Sequence, residues 1–145
     1  MHRSLLRTLS LLGMASILAG CASAPAPNGN TPPAGVQGVY FIEPLDGATV
    51  ESPLKVKFGL KGMTVRPAGE LVAGTGHHHL LVDVPGPKSG DPIPADASHL
   101  HFGKGQTETE VKLAPGSHVL KMQFADGFHQ SYGDAMSATV RITVK

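Results

Sequence analysis

Pro53-Leu54-Lys55-Val56-Lys57-Phe58-Gly59-Leu60 alternates apolar and charged side chains. Leu54, Val56, Phe58 and Leu60 point one way, with Lys55 and Lys57 the other. Such a period of two marks a strand with one buried face and one wet face. The same period recurs further along. Residues 107–113 turn Glu108, Glu110 and Lys112 outward. Residues 117–124 turn His118, Leu120, Met122 and Phe124 inward, and residues 137–144 do the same with Ala138, Val140, Ile142 and Val144. Further strands are expected at 39–42, 78–84 and around 99–102. Asp46-Gly47, Pro67-Ala68-Gly69, Pro115-Gly116 and Asp126-Gly127 are turn signals between them. No segment carries a helical period. The pattern predicts an all-β domain over residues 38–145, a small antiparallel immunoglobulin-like β-sandwich of about seven strands.

The preceding residues read differently. Arg3 and Arg7 form a positive start and residues 9–19 a short apolar run, too short to span a bilayer. Residues 1–20 are therefore expected to be an export signal. It ends Leu18-Ala19-Gly20-Cys21, which resembles a bacterial lipobox. The resemblance implies cleavage before Cys21 and lipidation of that thiol, the chain's one cysteine. Ala22 follows where inner-membrane lipoproteins often carry Asp, so the outer membrane, facing the periplasm, is the expected location. Residues 21–37 are rich in Ala, Pro, Gly and Asn and read as a tether with a reach of about 25–50 Å.

Without the signal, basic residues drop from 12 to 10 (Arg3 and Arg7 go) against 11 acidic ones. The near-neutral remainder has no basic stripe for nucleic acid. With Cys21 lipidated no disulfide is available, so the domain needs a real core or a metal.

Histidine is the distinctive residue type. His77-His78-His79 and His99-Leu100-His101 each contain a His-x-His pair. Alternate residues of a strand share a face, so His77 pairs with His79 and His99 with His101. Side by side, two such strands would bring four imidazoles to one patch, a donor set that suits zinc, copper(II) or nickel. A periplasmic setting and Met63, Met122 and Met136 add interest in copper. His78 faces the core in this reading and donates to a backbone carbonyl. Asp83 shares the ligand face but lies about 13 Å further along, too far for the same ion. His118, on an apolar face, and His129, at an expected hairpin tip, are the secondary candidates. The connector 85–98, with four prolines, joins the two histidine strands. It is either a mobile functional loop or a rigid crossover.

Pro44-Leu45-Asp46-Gly47, Phe58-Gly59-Leu60-Lys61-Gly62-Met63, Pro67-Ala68-Gly69, Thr75-Gly76-His77-His78-His79-Leu80-Leu81, His101-Phe102-Gly103-Lys104-Gly105-Gln106-Thr107-Glu108 and Pro115-Gly116-Ser117-His118 occur in this order. Together they resemble a bacterial family of exported proteins catalogued as a domain of unknown function, some of whose members carry a rod shape-determining label. The motif residues carried over are His77, His78, His79, His99, His101, Gln106, Thr107, Glu108, His118 and His129. Where members often read His-x-Pro-His, this chain reads His129-Gln130-Ser131-Tyr132. The rod-shape label suggests a multi-spanning membrane protein, and no segment after the signal is long or apolar enough for that. Gln106 and Glu108 are candidates for orienting a ligand imidazole from behind. Glu108 has a second reading as a solvated strand residue.

These residues admit three functional classes. The first is a lipid-anchored protein holding copper or zinc for storage, delivery or resistance. The second is a non-catalytic envelope interaction module, its histidines a structural or pH-responsive network. The third, a metal-dependent enzyme of unnamed substrate, has least behind it. The chain lacks a His-Glu-x-x-His motif and a Gly-x-Ser-x-Gly elbow.

Overall fold

A computed structural model describes residues 38–145. The signal segment, Cys21 and the tether lie outside the described residues. Nine strands run in chain order: β1 (Gly38–Glu43), β2 (Thr49–Val50), β3 (Leu54–Lys61), β4 (Thr64–Val65), β5 (Thr75–Val82), β6 (His99–His101), β7 (Glu108–Val111), β8 (Gly116–Ala125) and β9 (Ser137–Val144). A 3₁₀ turn, Asp134–Met136, precedes β9. Among the described residues no helix is long and apolar enough to cross a membrane.

One sheet has the order β1-β3-β7 and is antiparallel throughout. The other has the order β2-β9-β8-β5-β4, with β6 also paired to β5. The all-β sandwich expected from the alternation is present. The strand number and the purely antiparallel pairing need correction, because β2 runs parallel to β9 and β4 parallel to β5. Both extra strands are two residues long. A pair of residues shows no period, so neither is visible in the sequence.

The core fills the space between the sheets. Val39, Leu54, Val56 and Phe58 come from the first sheet; Leu80, Leu120, Met122, Phe124, Val140, Ile142 and Val144 come from the second. Each such burial stabilises by about 1.5–3 kcal/mol relative to exposure.

β5 carries the histidine triplet and sits within the larger sheet. On one side it pairs along most of its length with β8, from His77↔Ala125 to Val82↔Leu120. Its other edge is shared. β4 takes Thr75 and Gly76, and β6 takes His79 to Leu81. His78, Leu80 and Val82 form the inner face, opposite Phe124, Met122 and Leu120. His77, His79 and Leu81 form the outer face, yet all three are at most 1% exposed. Gly76 is required where it stands, since a Cβ there would collide with the Ala125 carbonyl oxygen.

The outer face is buried because loops roof it. The Gly90 amide donates to Ser131 O (2.8 Å), the Ser131 amide to Asp91 O (2.9 Å) and the Ile93 amide to His129 O (2.9 Å). These bonds clamp the long β5–β6 connector onto the β8–β9 loop, and Ile93 is buried. The connector is thus a pinned crossover. From the other side the Gly69 amide donates to Gly127 O (2.9 Å), and a Cβ on Gly127 would strike the Glu70 backbone.

Candidate metal centre

The register of β5 and β6 assembles most of the site. His79 lies directly opposite His101, while His77 shares the outer face two residues away. The fourth ring comes from the β8–β9 loop. Asp126, nearly buried, accepts from the Phe128 amide (2.8 Å) and the Gln130 amide (2.9 Å) through Oδ1. The Asp126 amide also donates to Gln130 O (3.0 Å), which closes a tight loop. Within this loop His129 has φ +67°. Few non-glycine residues adopt that left-handed conformation, and those that do are often held there for function.

Four imidazoles therefore meet. Ring centres are 4.8 Å apart for His77 and His79, 4.9 Å for His77 and His101, and 5.0 Å for His77 and His129. They are 5.0 Å apart for His79 and His101, 5.8 Å for His79 and His129, and 4.7 Å for His101 and His129. The Nε2 atoms of His77 and His79 are 3.0 Å apart, and those of His101 and His129 are 3.1 Å apart. Ligand atoms of His77, His101 and His129 all lie within 4.8 Å of one another; His79 stands outside that set and joins the cluster through its Nε2 contact with His77. His77 and His79 form a buried floor, His129 is half-buried and His101 is exposed, so the cluster opens to solvent on one side.

The electrostatics favour neutral rings. Burial first, then the His101 and His129 imidazoles, push His77 down to about 4, against a lift from Asp126. Burial and the neighbouring histidines push His79 down to about 2. Burial, then His129, holds His101 below the usual imidazole value. A neutral imidazole keeps one lone pair free for a proton or an ion. The Nδ1 atoms of His77 and His79 and the Oε1 of Gln123 are buried without a partner.

The remaining sequence candidates lie elsewhere. His99 is opposite Leu81, two residues beyond the His79–His101 pair, and its Nδ1 lies 2.7 Å from Asp96 Oδ1. The two His-x-His pairs are offset because pairing His79 with His101 sends His77 and His99 to opposite ends of the ladder. His118 lies toward the far end of β8, its Nδ1 2.7 Å from Asp83 Oδ2 and its Nε2 2.9 Å from Ala114 O. Asp83 is off the ligand face, past the end of β5, with φ +58°. Gln106 Oε1 accepts from the Lys104 amide (2.9 Å). Glu108 takes the solvated reading, 3.4 Å from Lys55 within the β1-β3-β7 sheet, away from the histidines. Neither orients an imidazole. Met122 is on the inner face of β8, and Met63 and Met136 pack against the core.

His78 also departs from expectation. It is wedged between Phe58 and Phe124, with ring centres 5.1 Å from each. Both its nitrogens are buried and unpartnered, so the expected bond to a carbonyl is not made. Burial, then His77, pushes it down to about 4. Replacing an unsatisfied polar group by an apolar one of similar shape is often stabilising. His78→Leu should therefore raise the stability of the domain by about 1–2 kcal/mol, read as a higher urea midpoint at pH 7.

Two contributors carried no functional signal in the sequence. Gln123 faces His79 across the β5–β8 pair and is fully buried; its Nε2 donates to Gly133 O (3.0 Å) and Met136 O (3.3 Å). An outward polar residue on an alternating strand gives no hint of burial. Asp126 was visible only as half of a turn dipeptide.

No curated protein matches the chain. Among solved structures, the fibronectin(III)-like modules of Clostridium thermocellum CbhA show a loose likeness, at 16% identity and a TM-score of 0.44, over 74% of this chain and 96% of that one. The chain belongs to the family described as Domain of unknown function (DUF4399), whose match over residues 56–145 takes in all four clustered histidines.

Proposed function

We propose that this chain binds a transition metal, copper or zinc, through His77, His79, His101 and His129. It would do so as a lipid-anchored, periplasm-facing protein of the outer membrane, for storage, delivery or resistance. The observation that carries the reading is the meeting of four rings, with Nε2 atoms only 3.0 and 3.1 Å apart in two pairs. The all-nitrogen donor set suits borderline divalent ions. Neutral imidazoles on a buried floor are already in the state that a metal requires. The envelope location rests on the signal and Cys21, and the anchor is the membrane partner it implies.

A second reading has its own support. The same Nε2 contacts fit hydrogen bonds between neutral imidazoles, one donating and one accepting. The cluster would then be a structural network in a domain that docks an envelope protein. Elemental analysis of untagged protein separates the two. The metal reading expects about one ion per chain, lost in the His77→Ala, His79→Ala double variant and kept in His99→Ala. Untagged protein that takes up no metal from excess zinc or copper(II) leaves only the structural network.

A further inference from the structure

Resting on the metal reading, we infer that the site is a closed tetrahedral cage of four imidazoles and that its ion is zinc(II). The six ring-centre distances discriminate between geometries. With nitrogen about 2.0 Å from the ion and the ring centre about 1.1 Å further out, a tetrahedron puts every pair of centres about 5.1 Å apart. A square plane with the same bonds puts neighbours at about 4.4 Å and opposite rings at about 6.2 Å. Here five of the six distances lie between 4.7 and 5.0 Å, and the sixth, His79 to His129, is 5.8 Å. No two opposite pairs stand out together as the diagonals of a square: the pair opposite His79–His129 is His77–His101, at 4.9 Å.

The framework behind each ring suits this geometry. His77 and His79 come from one strand, His101 from its neighbour and His129 from a loop, so the donors approach from different directions. Copper(II) prefers a tetragonal plane, whereas zinc has no such preference and takes a tetrahedron readily. Copper(I) also accepts four-coordination but favours thioether and thiolate donors. Met122 lies on the opposite face of the sheet, and Met63 and Met136 are packed against the core. Four protein ligands leave no open position for water, so the ion is held or passed on rather than used to split a bond.

Cobalt(II) in place of zinc tests this in the full folded chain. Four-coordinate tetrahedral cobalt absorbs intensely in the visible; six-coordinate cobalt is faintly pink. The expected result is one cobalt per chain with the intense spectrum, displaced by zinc. His129→Ala, in a surface loop, and His79→Ala should each lower zinc affinity by at least the roughly 10–100-fold that loss of an outer-shell partner alone costs and weaken the bands, while His99→Ala leaves both unchanged. A faint spectrum from fully bound cobalt, or bands indifferent to His79→Ala, overturns the tetrahedral cage and leaves the metal reading standing. Failure of folded protein, judged by its NMR dispersion, to take up either ion overturns both.

Discussion

Acidification from pH 6.5 to pH 4 should destabilise the metal-free domain by several kcal/mol, seen as a falling urea midpoint. His77, His78 and His79 have folded-state values below the unfolded value of 6.5, at about 4, 4 and 2. Between 6.5 and those values the unfolded chain binds more protons than the native one, so stability drops as the pH drops and is unaffected by these groups above 6.5. For His78 alone a shift from 6.5 to about 4 amounts to about 3 kcal/mol once the pH reaches 4. The clustered rings add to this, though not independently, since each proton repels the next. His118 works in the opposite sense. Its bonds to Asp83 and Ala114 raise it, so its contribution is present below 6.5 and lost as pH rises through the folded value. Because His118 is at the protein surface this offset is small. Against typical domain stabilities of about 5–15 kcal/mol, the loss is large. A midpoint that stays level from pH 7 to pH 4.5 would mean that the buried imidazoles are not held neutral. His78→Leu should flatten the slope.

Zinc should produce the second large effect, a rise in melting temperature. An ion that binds only the folded state stabilises by about 2.7 kcal/mol at a hundred times its dissociation constant. For a domain of this size that corresponds to roughly 10–20 °C. The rise should vanish in the His77→Ala, His79→Ala double variant and shrink in His129→Ala, and it should be intact in His99→Ala and His118→Ala. Those last two histidines engage Asp96 and Asp83 instead. An equal rise in all of these variants would place zinc on scattered surface groups. Because bound zinc competes with protons for the same lone pairs, saturating zinc should also move acid unfolding to lower pH.

Much of the scaffold was legible from side-chain alternation. Burying Leu54, Val56 and Phe58 while exposing Lys55 is a local matter of period two, and β3, β8 and β9 all carry it. That His77 and His79 share a face follows from the same rule. The two-residue parallel strands were invisible because pairing, not pattern, defines them.

The membership of the cluster was a tertiary decision. Either His-x-His pair had the right spacing, and which rings meet depends on the antiparallel register, where His79 opposite His101 excludes His99. His129 joins because Asp126 closes its loop and the proline-rich connector pins that loop over the sheet. The same roof buries the outer face of β5, and with it Gln123. By itself the amino-acid order determined which residues alternate, where the turns fall and which side chains carry ligand chemistry, because those depend on neighbours along the chain. Only the folded chain decided which imidazoles converge and how dry they are, because register and loop cover are set by contacts between residues far apart in sequence.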